Sequence, residues 1–290
     1  MSKTDVRKKI RQMLAEDLGK GDVTSESLFG PNVKSRAKLI ANQCGVLAGV
    51  REAAMAFEES GVLVRILRHD GDEISTGDVI MCVSGSARSI LATERVVLNL
   101  LMRMSGIATA TRDLIIRAKE KNPNIAIAAT RKTAPLISYF DKKAVMVAGG
   151  IPHRYSLSDQ VLIKDTHLKL TGSIKKAINS IKQLNTKGKI EVEVSNPEEA
   201  LMAAREGADI VMLDNMAPSE HARAIKMLKR EGIREKVILE ASGGINLSNV
   251  GKYASVGVDV ISSSYMTMRA PAIDIGLEII NTGSLDLRRV

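Results

Sequence analysis

The chain has no tryptophan, and only 2% of its 290 residues are aromatic. It therefore lacks the stacking platforms on which single-stranded nucleic acids are held. Its two cysteines, Cys44 and Cys82, fall in neither CxxC nor metal-ligand spacing. That argues against a disulfide scaffold or a zinc module, and a reducing cytoplasm is the expected compartment. No apolar run approaches the roughly 20 residues of a spanning helix, so no membrane association is expected. The N-terminus, MSKTDVRKKIRQML, is charged and helical in period, without the apolar segment of a signal peptide. Zinc-finger spacing and a basic tail are also missing, which makes nucleic acid a poor partner. What the chain does have is cations: Lys and Arg exceed Asp and Glu, for a formal charge of +9. An excess of that sign points to an anionic partner, and the positions of the cations decide which one.

Residues 5–17 read as an amphipathic helix capped by Thr4 and stopped by Gly19. KSRAKLIANQ, GVLAG, VLVRILR and DVIMCVSG then read as short strands, with a helix near REAAMAFEES. The first ninety or so residues thus form an α+β unit. A long helical pattern starts at Ala92, with a possible break near Ser105-Gly106. After it the chain alternates apolar runs (IAIAAT, QVLIK, IEVEV, DIVMLD, KVILEAS, DVISSS) with helical segments opened by Gly172, Asn196-Pro197, Pro218-Ser219 and Asn246. Such alternation predicts parallel βα units.

Every apolar run ends in polar residues: Arg131-Lys132, Lys164, Glu193, Asp214, Ser242-Gly243-Gly244 and Ser262-Ser263-Ser264. In a barrel these carboxyl ends converge on one mouth, where barrel enzymes carry their sites. Six strands are too few to close an ordinary eight-stranded barrel, so an incomplete one is expected. Its mouth would hold Arg131, Lys132, His153, Arg154 and Lys164 against Glu193 and Asp214. Cations about 8 Å apart repel by roughly 2 kcal/mol per pair at an effective dielectric of about 20. A site so built suits a ligand with several negative charges. Glu193 and Asp214 suit a hard cation such as Mg²⁺, held together with phosphate oxygens. Glu191 shares a face with Glu193, one layer deeper. EASGGINLSN reads as a phosphate cradle, with backbone amides opened by Gly243 and Gly244 near a helix start, and the Ser263-Ser264 turn completes it.

The blocks EDLGKGDVTS, ATERVVLNLLMRMSGIATATR, TRKTAP, GGIPHRYSLSDQVLIKDTHL, EVEV, MLDN, LEASGGI and GVDVIS resemble, in order, those of the quinolinate phosphoribosyltransferases. The resemblance runs nearly end to end. It implies an N-terminal α/β sandwich over residues 1–108, rejoined by segment 271–290, and an incomplete α/β barrel over 109–270. It implies phosphoribosyl transfer from phosphoribosyl pyrophosphate to quinolinate with Mg²⁺ and loss of CO₂, a step of NAD synthesis. By the same resemblance, Arg131, His153, Arg154 and Lys164 engage the quinolinate carboxylates or the donor. Lys132, Glu193 and Asp214 lie at the reacting centre, the acidic pair near ribose and metal, while Ser242, Gly243 and the serine turn hold the 5′-phosphate. Arg95 would come from the neighbouring subunit of a homodimer. The chain departs from the family at GGIPHR, at LIKDTH and at Ser263-Ser264, which bears on acceptor contacts. The nearest competing reading keeps the fold but takes another acceptor, nicotinate or an unknown base. The remote one is a non-catalytic nucleic-acid binder.

Overall fold

The computed structural model describes residues 2–184 and 188–280. They divide into two units: residues 2–109, 139–148 and 270–280 form the first, and residues 110–138 and 149–269 the second. Of the segment 271–290, residues 281–290 lie outside the described residues.

The first unit contains β1 (Lys34–Ala41), β2 (Gly45–Val46), β3 (Leu63–Ile66), β4 (Glu73–Ile74) and β5 (Val79–Ser86). The second contains β6 (Ala126–Ala128), β7 (Val161–Ile163), β8 (Ile190–Val194), β9 (Ile210–Asp214), β10 (Ile238–Ser242) and β11 (Val260–Ser262). The last strand, β12 (Ile275–Ile280), belongs again to the first unit.

In the first unit an antiparallel sheet runs in the order β12-β1-β5-β3, and β2 pairs with β4. Strand β1 shows the period of a half-buried strand: Ala37, Leu39 and Ala41 are fully buried, whereas Arg36 and Lys38 reach solvent. The helix Val50–Glu59 packs on β3 and on the helix Lys3–Leu18, which buries Val6 and Ile10. That first helix starts earlier than expected. Ser2, not Thr4, is the cap: its Oγ accepts from the Asp5 amide at 3.2 Å, and the Asp5 carboxylate accepts from the Ser2 amide at 3.0 Å. The reciprocal pair outcompetes a lone threonine because it satisfies two amides at once. Gly19 does end the helix, at φ 55°.

The long helix is also corrected. It runs unbroken from Ala87 to Lys119, through Ser105-Gly106. Ser105 Oγ accepts from the Ala48 amide at 3.1 Å, and a side chain at Gly106 would run into the Pro271 carbonyl. The small pair is a contact surface, and the close backbone approach offsets the low helix propensity of glycine.

The second unit is one parallel sheet in the order β6-β11-β10-β9-β8-β7. All six expected strands are present. The first strand, β6, pairs with the last, β11, as happens when a parallel sheet curls towards closure. β6 and β7 are not paired with each other, and Ile151, in the segment before β7, joins Ala128 of β6 by an isolated parallel bridge. Helices cover the outside; two starts follow the sequence signals, whereas Gly172 ends the short helix Asp165–Thr171 and Ser173 caps the next, and the helix expected at Asn246 begins at Val250. Asn196 caps the helix Pro197–Arg205, accepting from the Glu199 amide, and Pro218 opens the helix that ends at Arg230.

The barrel strands invert the polarity of β1. The positions under the helices are apolar and buried: Val192, Val211, Leu213, Leu239 and Ala241. The alternate positions, Glu191 and Glu193 on β8, Met212 and Asp214 on β9, Glu240 and Ser242 on β10, share the other face. Those of them nearest the strand ends border a common cavity.

Candidate active site

A cavity of about 270 Å³ opens at the carboxyl ends of the barrel strands. Arg131 and Lys132 follow β6, Lys164 follows β7, and Glu193, Asp214 and Ser242 stand at or near the ends of β8, β9 and β10. All border it, with His153 and Arg154 from the loop before β7. A second cavity of about 200 Å³ is bordered by Ser242, Gly243, Gly244, Ser263 and Ser264. The two share Thr130, Lys132, Ser242 and Ser262. The expected residues therefore come together, with one exception. Arg95 lies exposed on the long helix in the first unit and borders neither cavity.

Lys164 Nζ meets Glu193 Oε2 at 2.7 Å, and Asn215 Nδ2 donates to Asp214 Oδ2 at 2.6 Å. Each carboxylate keeps an oxygen outside these bonds. The Lys164 amide donates to Nδ1 of His167, so that histidine caps its own short helix, Asp165–Thr171. Arg131 and Lys132 are exposed, and among the described residues no carboxylate lies within ion-pair distance of either. Arg154 is 7% exposed and its Nη1 donates to the Gln160 carbonyl at 3.2 Å. Burial first, and then the charge of Arg131, pull its guanidinium below its ordinary value, while Glu191, Asp159 and Glu193 act the other way. Two guanidiniums facing one space repel unless an anion enters it.

The second cavity is shaped by backbone. Gly243 and Gly244 have φ of 97° and 61°, conformations that favour glycine. A Cβ on Gly243 would also lie 2.6 Å from the Asn215 amide nitrogen, so no side chain fits there. Successive exposed amides of this kind make an anion-binding concavity. The Ser263 hydroxyl donates to the Ile245 carbonyl at 2.6 Å and accepts from the Tyr265 amide at 3.0 Å. It thereby ties the two loops of the cradle together.

Several lining residues escaped the sequence reading. Arg269 and Asn246 border the second cavity, and Leu162 and Met212 the first. Arg269 lies well past the last barrel strand, and no local pattern marks it. Beneath the first cavity, Glu191 and Glu240 are 0% and 3% exposed. His153 Nε2 lies 3.7 Å from a carboxylate oxygen of each. Period alone put Glu191 a layer below Glu193; that Glu240 does the same beside Ser242 was readable in EAS but went unremarked.

Comparison with known proteins adds the lineage. The family model described as the N-terminal domain of quinolinate phosphoribosyl transferase matches residues 22–105, and that described as its C-terminal domain matches residues 107–278. The chain is 46% identical over 260 residues to the probable nicotinate-nucleotide pyrophosphorylase (carboxylating) of Archaeoglobus fulgidus, covering 90% of this chain and 98% of that one. It is 43% identical over 271 residues to the protein of the same name from Methanothermobacter thermautotrophicus, covering 93% and 97%. The crystal structure of nicotinate-nucleotide pyrophosphorylase from Ehrlichia chaffeensis superposes with a TM-score of 0.89 at 32% identity, over 97% of this chain and 99% of that one. With both domain signatures in order and relatives aligned along nearly the whole chain, the protein belongs to the quinolinate phosphoribosyl transferase family.

Proposed function

We propose that the protein transfers a phosphoribosyl group from phosphoribosyl pyrophosphate to quinolinate, releasing pyrophosphate and CO₂ and leaving nicotinate mononucleotide for NAD synthesis. The observation that carries this reading is the cluster of cations around one cavity, two of them without an acidic partner among the described residues, beside a glycine-built cradle. Relatives carrying names for this activity support it. A dicarboxylate and a phosphorylated donor together supply the missing negative charge.

In this reading Arg131, Arg154 and Lys164 hold the carboxylates, with His153 shaping the wall. The amides around Gly243 and Gly244 hold the 5′-phosphate, the turn at Ser263-Ser264 closes over it, and Arg269 adds charge. Lys132 borders both cavities and so spans the distance between acceptor and phosphate. The pyridine nitrogen attacks the anomeric carbon as pyrophosphate leaves, and Glu193 and Asp214 stabilise the positive charge that develops on the sugar. The ring nitrogen, now cationic, stabilises the electron pair left on the adjacent ring carbon as CO₂ departs, and a proton takes the place of CO₂ on that carbon. No protein nucleophile is needed, and holding the partners in line is the main contribution.

Magnesium fits the residues present. Glu193 and Asp214 each offer an oxygen outside their ion pair and hydrogen bond, a hard donor set of the kind magnesium completes with phosphate oxygens. Bound there, it would neutralise the leaving pyrophosphate. We also infer a homodimer in which Arg95 of the partner subunit completes the site, since Arg95 is exposed and borders neither cavity of its own chain, and we infer a cytoplasmic location from the cysteine usage. Among the described residues no helix is long and apolar enough to cross a membrane.

Single-turnover product analysis with phosphoribosyl pyrophosphate, Mg²⁺ and either quinolinate or nicotinate tests the assignment. Stoichiometric CO₂ and pyrophosphate from quinolinate, with nicotinate inert, is the expected result. Turnover of nicotinate instead would transfer the fold to another acceptor.

A further inference from the structure

The layer below the cavity holds charge that the reaction as described does not use. Glu191 and Glu240 are buried, and Oε1 of each lacks a hydrogen-bond partner among the described residues. Gln160 Nε2 donates to Glu191 Oε2 at 3.0 Å. His153 joins them from the loop before β7, at φ 56°, a conformation that a residue with a side chain adopts only when its surroundings hold it there. Its Nε2 faces both carboxyls.

Two functions suit such a cluster, and the other ring nitrogen separates them. The one atom that each of His153, Glu191 and Glu240 can offer lies within 4.8 Å of the others, a spread from which a divalent cation could gather them. Ligation through Nε2 would require a bare lone pair there, with the ring proton on Nδ1. The Arg154 backbone N–H, however, donates to Nδ1 at 2.9 Å. Nδ1 is therefore the acceptor and Nε2 carries the proton. A ring in that tautomer turns its N–H toward the two carboxyls, 3.7 Å away, and has no lone pair on Nε2 for a metal.

Two ionised carboxylates in one buried layer repel strongly, so one of them stays protonated. Glu191 accepts from Gln160 and lies near the Arg154 guanidinium. Glu240 faces Glu191 from β8, His153 from the loop, the neutral Met212 from β9 and the Ser262 hydroxyl from β11. Burial first, then the charge of Glu191, push it up to about 7, with His153 and Ser262 acting the other way.

We propose that Glu240 is a positioning residue that works as a neutral acid: with Glu191 it locks His153 in the Nε2–H tautomer, and through Nδ1 the ring fixes the Arg154 backbone at the cavity wall. The consequence for activity rests on the transferase reading above. The tautomer does not, which keeps the two separable. As pH rises Glu240 gives its proton to solvent, two negative charges then stand in one buried layer, and their repulsion drives apart the carboxyls that hold the ring. Activity on quinolinate should then fall on the alkaline side.

Imidazole ¹⁵N spectra of the full-length protein at pH 6 read the tautomer directly. A bare Nδ1 and a protonated Nε2 on His153 are expected, and a protonated Nδ1 overturns the proposal whether or not Zn²⁺ has been added. For activity, Glu240→Gln copies the neutral acid. It should keep kcat/KM within about threefold of wild type at pH 6 and lose the alkaline decline, while Glu240→Ala should lose at least tenfold at every pH. Equal impairment of the glutamine and alanine variants, or an alkaline limb unchanged in Glu240→Gln, overturns the proposal. Absence of turnover in the wild-type protein would sink the transferase reading and leave the spectra to decide the tautomer.

Discussion

The two units treat charge in opposite ways. In the first, ionic groups that approach the interior meet a partner on the spot. Lys143 Nζ lies 2.7 Å from Glu52 and 3.0 Å from Asp70, and Arg103 Nε lies 2.7 Å from the fully buried Asp141. Burial lowers the Lys143 ammonium, but Glu52 and Asp70 outweigh it and hold the group above its ordinary value. In the second unit the polar residues line the inner face of the barrel strands, and the cations that follow them look into a cavity. Charges of the first kind stabilise the fold. Among those of the second kind Arg131 and Arg154 oppose one another, and the proposed binding site rests on that opposition.

The comparison can be broken most directly at Arg131. Arg131→Ala should lower kcat/KM for quinolinate by 10²–10³, about 3–4 kcal/mol of transition-state binding, while the melting temperature holds or rises because Arg154 loses a repulsive neighbour. A fall in stability equal to the fall in activity would put Arg131 in the same class as Lys143. At Lys143 the reverse is expected. Lys143→Met leaves Glu52, 3% exposed, without its main counter-charge. A loss of about 3 kcal/mol in denaturant unfolding is the expected result, and intact stability would show that Asp70 and Glu52 do not depend on it. The smallest effect belongs to Lys38, whose pair with Glu278 at 3.1 Å spans two adjacent strands at the surface. Lys38→Ala should change stability by no more than about 0.5 kcal/mol, and a larger change would mean that the outward face of β1 is not an ordinary solvated surface.

Much of this contrast can be read along the chain because strand period is local. EVEV and DIVMLD alternate, so the face carrying Glu191, Glu193, Met212 and Asp214 follows from sequence, as do the cap at Asn196 and the helix start at Pro218. Ser105-Gly106 misled for a local reason too: small residues weaken a helix in isolation, and only the approach of Pro271 shows why they are tolerated. The cap at Ser2 was missed because the reciprocal bond to Asp5 outranks the more familiar threonine.

By itself, then, the sequence determined the two-unit α/β plan, the six barrel strands and the polar ends that make a mouth, since periodicity and turn chemistry act over a few residues. It also carried the family blocks. Only the tertiary structure decided which of these residues meet. Glu191, Glu240 and His153 are far apart along the chain and come from two strands and a loop, and Gly243 is required by Asn215, a residue of the preceding strand's loop. Such contacts depend on how the sheet curls and how its register staggers, and no short-range pattern encodes either one.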